Sequence, residues 1–525
     1  MSDLHTRAMH RTRQTAGAVF SALIVTVFLV LIGWTNEIPT PVPSVSTAEE
    51  LARHVRTLAS DEMTGRGVDT PGIVMARDYI AQEFKSYGLV PGGDNGTYFQ
   101  RLEVVTGVEA KEPSAARLGK DPALVLGEDW NPLGFSASGT AEAEVVFAGY
   151  GITTKDYRYD DYAGIDVKGK IALVLRYEPP PIDDKSPFRA QPQASQYAPL
   201  QAKVSNARDH GAIGMILVDL SPKEGQKELI PVRRLFGGRS QNNIVAAQIR
   251  REIVEQRLQA EGVSLGELKT KIDREEKPSS IAIPSLRAAL TVELEKTTRP
   301  TDNVVAVLPG ADAKLKPENI VIGAHYDHLG LGHFGTNDSS TEGQIHHGAD
   351  DNASGTAVMM SAAARLSRSP DRPPRTIVFV AFSAEELGLH GSRYFVAHPP
   401  FPIGSTKAMI NLDMVGRMKD NQLTAGAVDS AREFPGLIGR AAQGLDVTMK
   451  QGGGRTDHVS FYEKEIPAVH FSTGNHPDYH RPSDTWDKLN IQGMAKVSDT
   501  VVSLVREIAE AKEGLTFKMP SPRGS

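Results

Sequence analysis

Five short segments of this 525-residue chain carry acidic and histidine side chains at the edges of apolar, strand-like runs: His325-Tyr-Asp327, GADDNASG over 348–355, AEEL over 384–387, NLDM over 411–414 and Asp478-Tyr-His480. Oxygen and imidazole donors in that mixture suit a hydrolytic centre with two divalent ions. Ions about 3.5–4 Å apart need a shared carboxylate and positions left open for water and substrate. Three carboxylates and two histidines from these segments would supply the donors. The chain has no cysteine, which excludes thiolate ligands and disulfides.

Such groups must be held by something rigid. Residues 319–324, 376–382, 408–412 and 467–471 are short runs rich in Val and Ile, separated by helix-like stretches, which is the pattern of a parallel sheet. Ligands of such sheets bind beyond the carboxyl ends of the strands. Each candidate follows such an end except the Asp350-Asp351 pair, which precedes a helix-like stretch at 353–368.

On a continuing strand Asp327 lies on the same side as His325 and would orient its imidazole by a hydrogen bond, whereas His328, at an odd spacing, would point elsewhere. Glu385 and Glu386, as neighbours in extended chain, would face opposite ways, one coordinating metal and the other taking a proton from water. Taken alone, the pair would more often mark the first turn of a helix. Local sequence leaves open which of Asp350 and Asp351 faces the metals. His346 and His347, in a Gly- and Ser-rich stretch, read as solvated loop residues, and His470 as a strand residue. Asp484 reads either as a support for His480 or as a turn residue before a helix.

Taken together and in this order, HYD (325–327), GADDNASG (348–355), SAEELGLHGS (383–392), NLDMVGR (411–417) and YHRPSDTW (479–486) resemble the motifs of the co-catalytic dizinc exopeptidases, which include bacterial leucyl-type aminopeptidases and glutamate carboxypeptidase. The resemblance covers about residues 45–110, including SDEMTGRGVDTPG (60–72), and about residues 295–512. It implies that Asp351 bridges two zinc ions, that His325 and Asp413 hold one of them, and that Glu386 and His480 hold the other. Cobalt or manganese would suit the same donors. It also implies that Glu385 is the general base, taking a proton from a bridging water and returning it to the departing amine of a hydrolysed peptide bond. Asp327 would serve catalysis by steadying His325. The implied fold is α/β, a mixed, largely parallel sheet flanked by helices.

Outside the motifs, a formal net charge of −6 and ordinary apolar content describe a globular protein of two or three domains with no nucleic-acid partner. Residues 16–34 form a nearly unbroken apolar run, long enough to span a bilayer at about 1.5 Å per residue. Arg7, Arg11 and Arg13 precede it and favour a cytoplasmic amino terminus with the body exported. The run is read as a retained anchor, with signal cleavage and secretion as the alternative. Between 107 and 299 the β-like runs at 143–150, 170–175 and 212–218 suggest an inserted small β-rich domain. Its segments YAGIDVKGKIA (162–172) and HGAIGMIL (210–217) resemble a protease-associated domain.

The expected division is a cytoplasmic end (1–15), an anchor (16–34), a Pro-rich linker (35–44), a first peptidase part (45–106), the insertion (107–299), a second peptidase part with the metal site (300–512) and a flexible tail (513–525). The expected activity is removal of amino-terminal residues from peptides or proteins with a free terminus. Three alternatives share the resemblance: a carboxypeptidase, a glutaminyl cyclase-like acyl transferase, and a non-catalytic receptor-like binding protein.

Overall fold

The computed structural model describes residues 46–518, apart from 121, 155–156, 184, 190–194, 222–227, 234–243 and 453. The expected cytoplasmic end, anchor and linker lie outside the described residues, and among these no helix is long and apolar enough to cross a membrane.

A nine-stranded sheet carries the candidate residues. Its centre is parallel: strand Asn319–His325 lies between Thr376–Phe382 and Thr406–Leu412, and the latter pairs with Ala468–Ser472. Every residue of Asn319–His325 is buried, as expected for a strand covered on both faces. Alternation splits its side chains between two layers. Ile320, Ile322 and Ala324 pack with the helices Thr47–Leu58, Pro71–Ser86, Gly355–Arg368 and Ile491–Glu510, while Val321 faces Phe395 and Phe461 on the other side. Each such buried aliphatic side chain contributes about 1.5–3 kcal/mol of hydrophobic stabilisation.

The sheet is less parallel than expected. Leu294–Leu308 pairs antiparallel with Thr376–Phe382, Val90–Pro91 and Phe99–Ala110, and Gln422–Gly426 pairs antiparallel with Ala468–Ser472. The physical reason is connectivity. Phe99–Ala110 and Leu294–Leu308 form the ribbon through which the chain leaves for the insertion and returns, so residues 107 and 299 fall inside continuous strands. The insertion builds its own seven-stranded sheet, with Gly139–Phe147, Ile171–Leu175, Gly214–Val218 and Val245–Ile249 parallel at its centre. It is larger than the expected small domain, because Val245–Ile249, the helices Arg251–Ala260 and Leu265–Glu275, and the long strand Ile281–Val292 also belong to it.

Local sequence explains the helices that brace the site. Gly355–Arg368 is rich in Ala and Met, strong helix formers that lose little side-chain freedom, and all of its residues from 355 to 364 are buried. Ile491–Glu510 starts at Asn490, whose side chain accepts the Gly493 N–H, and it buries Met494, Val497, Val501, Leu504, Val505 and Ile508 on one face. The start of the expected loose tail is docked: the Thr516 N–H donates to Glu433 and the Lys518 N–H to the Ser430 carbonyl.

Candidate metal centre

His325 ends its strand, and the chain then turns away, so the alternation expected for residues 325–328 does not apply. The imidazole Nδ1 bonds to the backbone oxygen of Asp327 at 3.1 Å. The Asp327 carboxylate stands 3.8 Å away and instead accepts the N–H groups of Glu385 and Glu386. Asp327 therefore holds the glutamate pair, a correction to its expected bond with the His325 ring. That pair is not in extended chain either. It sits in a turn entered through Ala384 at φ +57°, and both side chains reach the cleft.

Asp351 lies at the middle of the arrangement. Its Oδ1 is 3.3 Å from His325 Nε2, which is also 3.4 Å from Asp413 Oδ1. Its Oδ2 is 3.1 Å from His480 Nε2, itself 3.2 Å from Glu386 Oε2. Two triads thus share one carboxylate. The donor atoms of His325, Asp351 and Asp413 all lie within 4.8 Å of one another, as do those of His328, Asp351 and Glu386.

The second triad has two candidate imidazoles. His328, expected to point elsewhere, places Nδ1 2.7 Å from Glu386 Oε1, because the strand stops before it. His480 is held at Nδ1 by the Gly335 carbonyl at 2.8 Å, which fixes the tautomer and leaves Nε2 as a lone pair. That Nε2 is buried and near two carboxylates, yet it makes no hydrogen bond of acceptable alignment. Such convergence without mutual hydrogen bonding fits donors aimed at a shared ion, and the mixed nitrogen and oxygen set suits zinc.

Electrostatics show a negative cluster that favours a positive charge at this place, whether a proton or a bound cation. Burial opposes charge on His480, but Glu386 and Asp351 outweigh it and raise the imidazole to about 11. Burial likewise opposes charge on His325, which Asp413, Glu385 and Asp351 raise well above the usual imidazole range. Glu386, despite burial, is brought down to about 2 by His480 and His328. Glu385 behaves differently: burial and the neighbouring carboxylates Asp457, Glu386 and Asp413 push it well above the ordinary carboxylate range.

Support comes from residues outside the expected set. The Asp484 carboxylate accepts the N–H groups of both Asp350 and Asp351 and pairs with Arg417 at 3.0 Å, so it steadies the bridging segment and not His480. Asp350 turns away from the triads, with Oδ1 on the Gly416 N–H and Oδ2 3.2 Å from His476. Arg66 is fully buried and donates to the carbonyls of Leu58, Tyr326, His347 and Gly348. It ties the amino-terminal turn to the strand end on one side and to the approach to Asp351 on the other. Both arginines stood in quoted motifs, TGRG and MVGR, but nothing in their spacing revealed their partners. His346, expected in solvent, is buried against Gln344 and Thr336, while His347 bonds Asp61 at 2.8 Å. His470 is in its strand and also lines the cleft.

Comparison with known proteins places this geometry. Residues 303–505 match peptidase family M28, and residues 140–256 match the PA domain. Aminopeptidase YwaD of Bacillus subtilis is 30% identical over 242 residues, covering 43% of this chain and 50% of that protein. A probable leucine aminopeptidase of Arthroderma otae is 26% identical over 225 residues, covering 40% of this chain and 57% of that one. The chain spans about half the length of the curated relatives it matches. Among solved structures, an aminopeptidase from Aneurinibacillus sp. strain AM-1 is similar with a TM-score of 0.56 at 26% identity, covering 90% of this chain and 96% of that chain. The shared-carboxylate centre thus lies within the region similar to peptidase family M28, and the region similar to the PA domain lies within the insertion.

Proposed function

We propose that the chain is a metal-dependent exopeptidase that removes residues from free amino termini, with two zinc ions as its resident metals. The observation that carries this reading is Asp351, whose two oxygens face separate imidazole and carboxylate partners. His325 and Asp413 would complete one site, and Glu386 and His480 the other. When bound, the ions make a water more acidic and polarise the scissile carbonyl. Glu385, held beside them by its N–H bond to Asp327, takes the proton from the attacking water and passes it to the departing amine nitrogen. The aminopeptidase names of the relatives support attack at the amino end.

The insertion flanks this cleft in our reading, because Arg233 reaches Glu342 of the Gly- and Ser-rich loop at 2.7 Å. We place the peptidase on the exported side of a membrane, tethered by residues 16–34, on the strength of the apolar run and the arginines before it. Protease treatment of intact and permeabilised cells tests that placement, and degradation only after permeabilisation of the inner membrane would reverse it.

Activity is tested by incubating the zinc-loaded chain with one tripeptide in free, amino-blocked and carboxyl-blocked forms. Release of the first residue only when the amine is free is expected. Trimming from the carboxyl end would move the assignment to a carboxypeptidase, and no cleavage by protein holding two metals would remove the hydrolase reading.

A further inference from the structure

The cleft over the metal centre is polar where a pocket for a leucyl or phenyl side chain would be apolar. It encloses about 370 Å³, and among its described lining residues only Met414 and Tyr479 offer large apolar surfaces. Thr424, Ser472 and Asn475 line it with neutral hydrogen-bonding groups, and Lys450 and Arg455 line it with positive charge. Both cations are exposed, and neither side chain has an ionic or hydrogen-bonded partner among the described residues.

Four carboxylates, Asp351, Glu385, Glu386 and Asp413, face the same cleft, and no ion pair joins any of them to Lys450 or Arg455 among the described residues. Two unpaired cations therefore stand on the wall that a substrate meets. Two cations on one wall of a cleft attract a negatively charged group, and a guanidinium presents a fork that fits a carboxylate. An aliphatic side chain gains little there, because its burial would strip water from groups it cannot bond.

Resting on the aminopeptidase reading above, we propose that this cleft selects substrates that place a carboxylate beside the metal centre, recognised by Lys450 and Arg455, with an aspartyl or glutamyl first residue as the chief source. The carboxyl terminus of a dipeptide carries the same group and is the other source.

The experiment measures kcat/KM of the zinc-loaded full chain on the p-nitroanilides of Glu, Asp, Leu and Lys, and on Leu-Gly against Leu-glycinamide. The Glu-to-Leu ratio is expected to exceed one and to fall by at least about tenfold in the double variant Lys450→Ala, Arg455→Ala, the loss typical of charge-assisted hydrogen bonds. A second double variant, Lys450→Glu, Arg455→Glu, is expected to turn the preference towards Lys, which a merely damaged enzyme would not do. If the Leu-Gly to amide ratio falls instead, the carboxylate recognised is the terminal one. Cleavage of free-amine substrates with both ratios unmoved by either variant overturns the proposal alone. Failure to cleave any free-amine substrate overturns the aminopeptidase reading and the proposal with it.

Discussion

Two buried charged clusters in this protein look alike in composition and differ in bonding. In the insertion, the Asp161 carboxylate accepts the Tyr150 and Ile152 N–H groups and the Tyr159 hydroxyl, each at 3.0 Å, while Lys203 donates to the Tyr150 carbonyl. Burial pushes Asp161 up to about 7 and Lys203 down to about 7, and each has its polar partners in place. Beyond the strand ends of the larger sheet, His328 Nε2, His480 Nε2 and both Asp457 oxygens are buried with no hydrogen-bond partner. An unsatisfied buried polar group costs about 1–3 kcal/mol. A fold that tolerates several at one place is stabilised there by something else, and a bound metal is that kind of partner. The satisfied cluster is architecture, and the unsatisfied one is a site.

The sharpest way to break the contrast is to remove Asp351. Asp351→Ala takes a donor from both triads, so metal content measured by elemental analysis should fall to near zero, and turnover to background. Glu385→Gln should retain both metals and lower kcat by about 10²- to 10⁴-fold, the range for a lost general base. Retained turnover in a fully metallated variant would remove Glu385 from that role. Arg66→Lys keeps a cation but cannot reach four carbonyls at once, and competition with a chelator should show metal affinity lower by about 10- to 100-fold, as for other groups that hold ligands in place.

Smaller effects test the other side of the comparison. Asp161→Asn should cost about 1–3 kcal/mol in denaturant unfolding of the insertion while leaving metal content and turnover of the folded protein unchanged. His54 sharpens the rule for groups buried uncharged. Its Nδ1 and Nε2 bond the hydroxyls of Tyr79 and Tyr87, and burial pushes its imidazole down to about 3. The unfolded chain takes up this proton near pH 6.5 and the folded chain does not, so stability falls as pH drops from about 6.5 towards 3. In His54→Gln the slope of unfolding free energy against pH between about 4 and 6 should lessen by one proton, about 1.4 kcal/mol per unit.

Much of the site was legible in advance because metal chemistry restricts residue types and strand ends restrict positions. His325, Asp351, Glu385, Glu386, Asp413 and His480 all reach one cleft or its border. Strand alternation misplaces Asp327 and His328 because both lie beyond the strand end at His325: Asp327 supports the glutamate turn, and His328 touches Glu386. Local sequence leaves Asp484 open between a support for His480 and a turn residue, and its bonds go to Asp350 and Asp351, more than 130 positions away. In the insertion, periodicity revealed the buried strands Ile171–Leu175 and Gly214–Val218 but not Val245–Ile249, whose AAQI run carries little β-branched signal.

Sequence by itself determined the chemistry available to this protein: no thiolate, a set of imidazoles and carboxylates at strand ends, and a catalytic fold interrupted by a second sheet. Those follow from residue type and from local periodicity, which act over a few positions. Tertiary structure alone decided which oxygen of Asp351 faces which imidazole, that Asp327 supports the glutamate turn, that Arg66 and Asp484 brace the bridging carboxylate, and that Lys450 and Arg455 stand on the cleft wall. Each of these joins segments tens to hundreds of residues apart, and such contacts are set by how the sheet and helices pack, which no short stretch of sequence encodes.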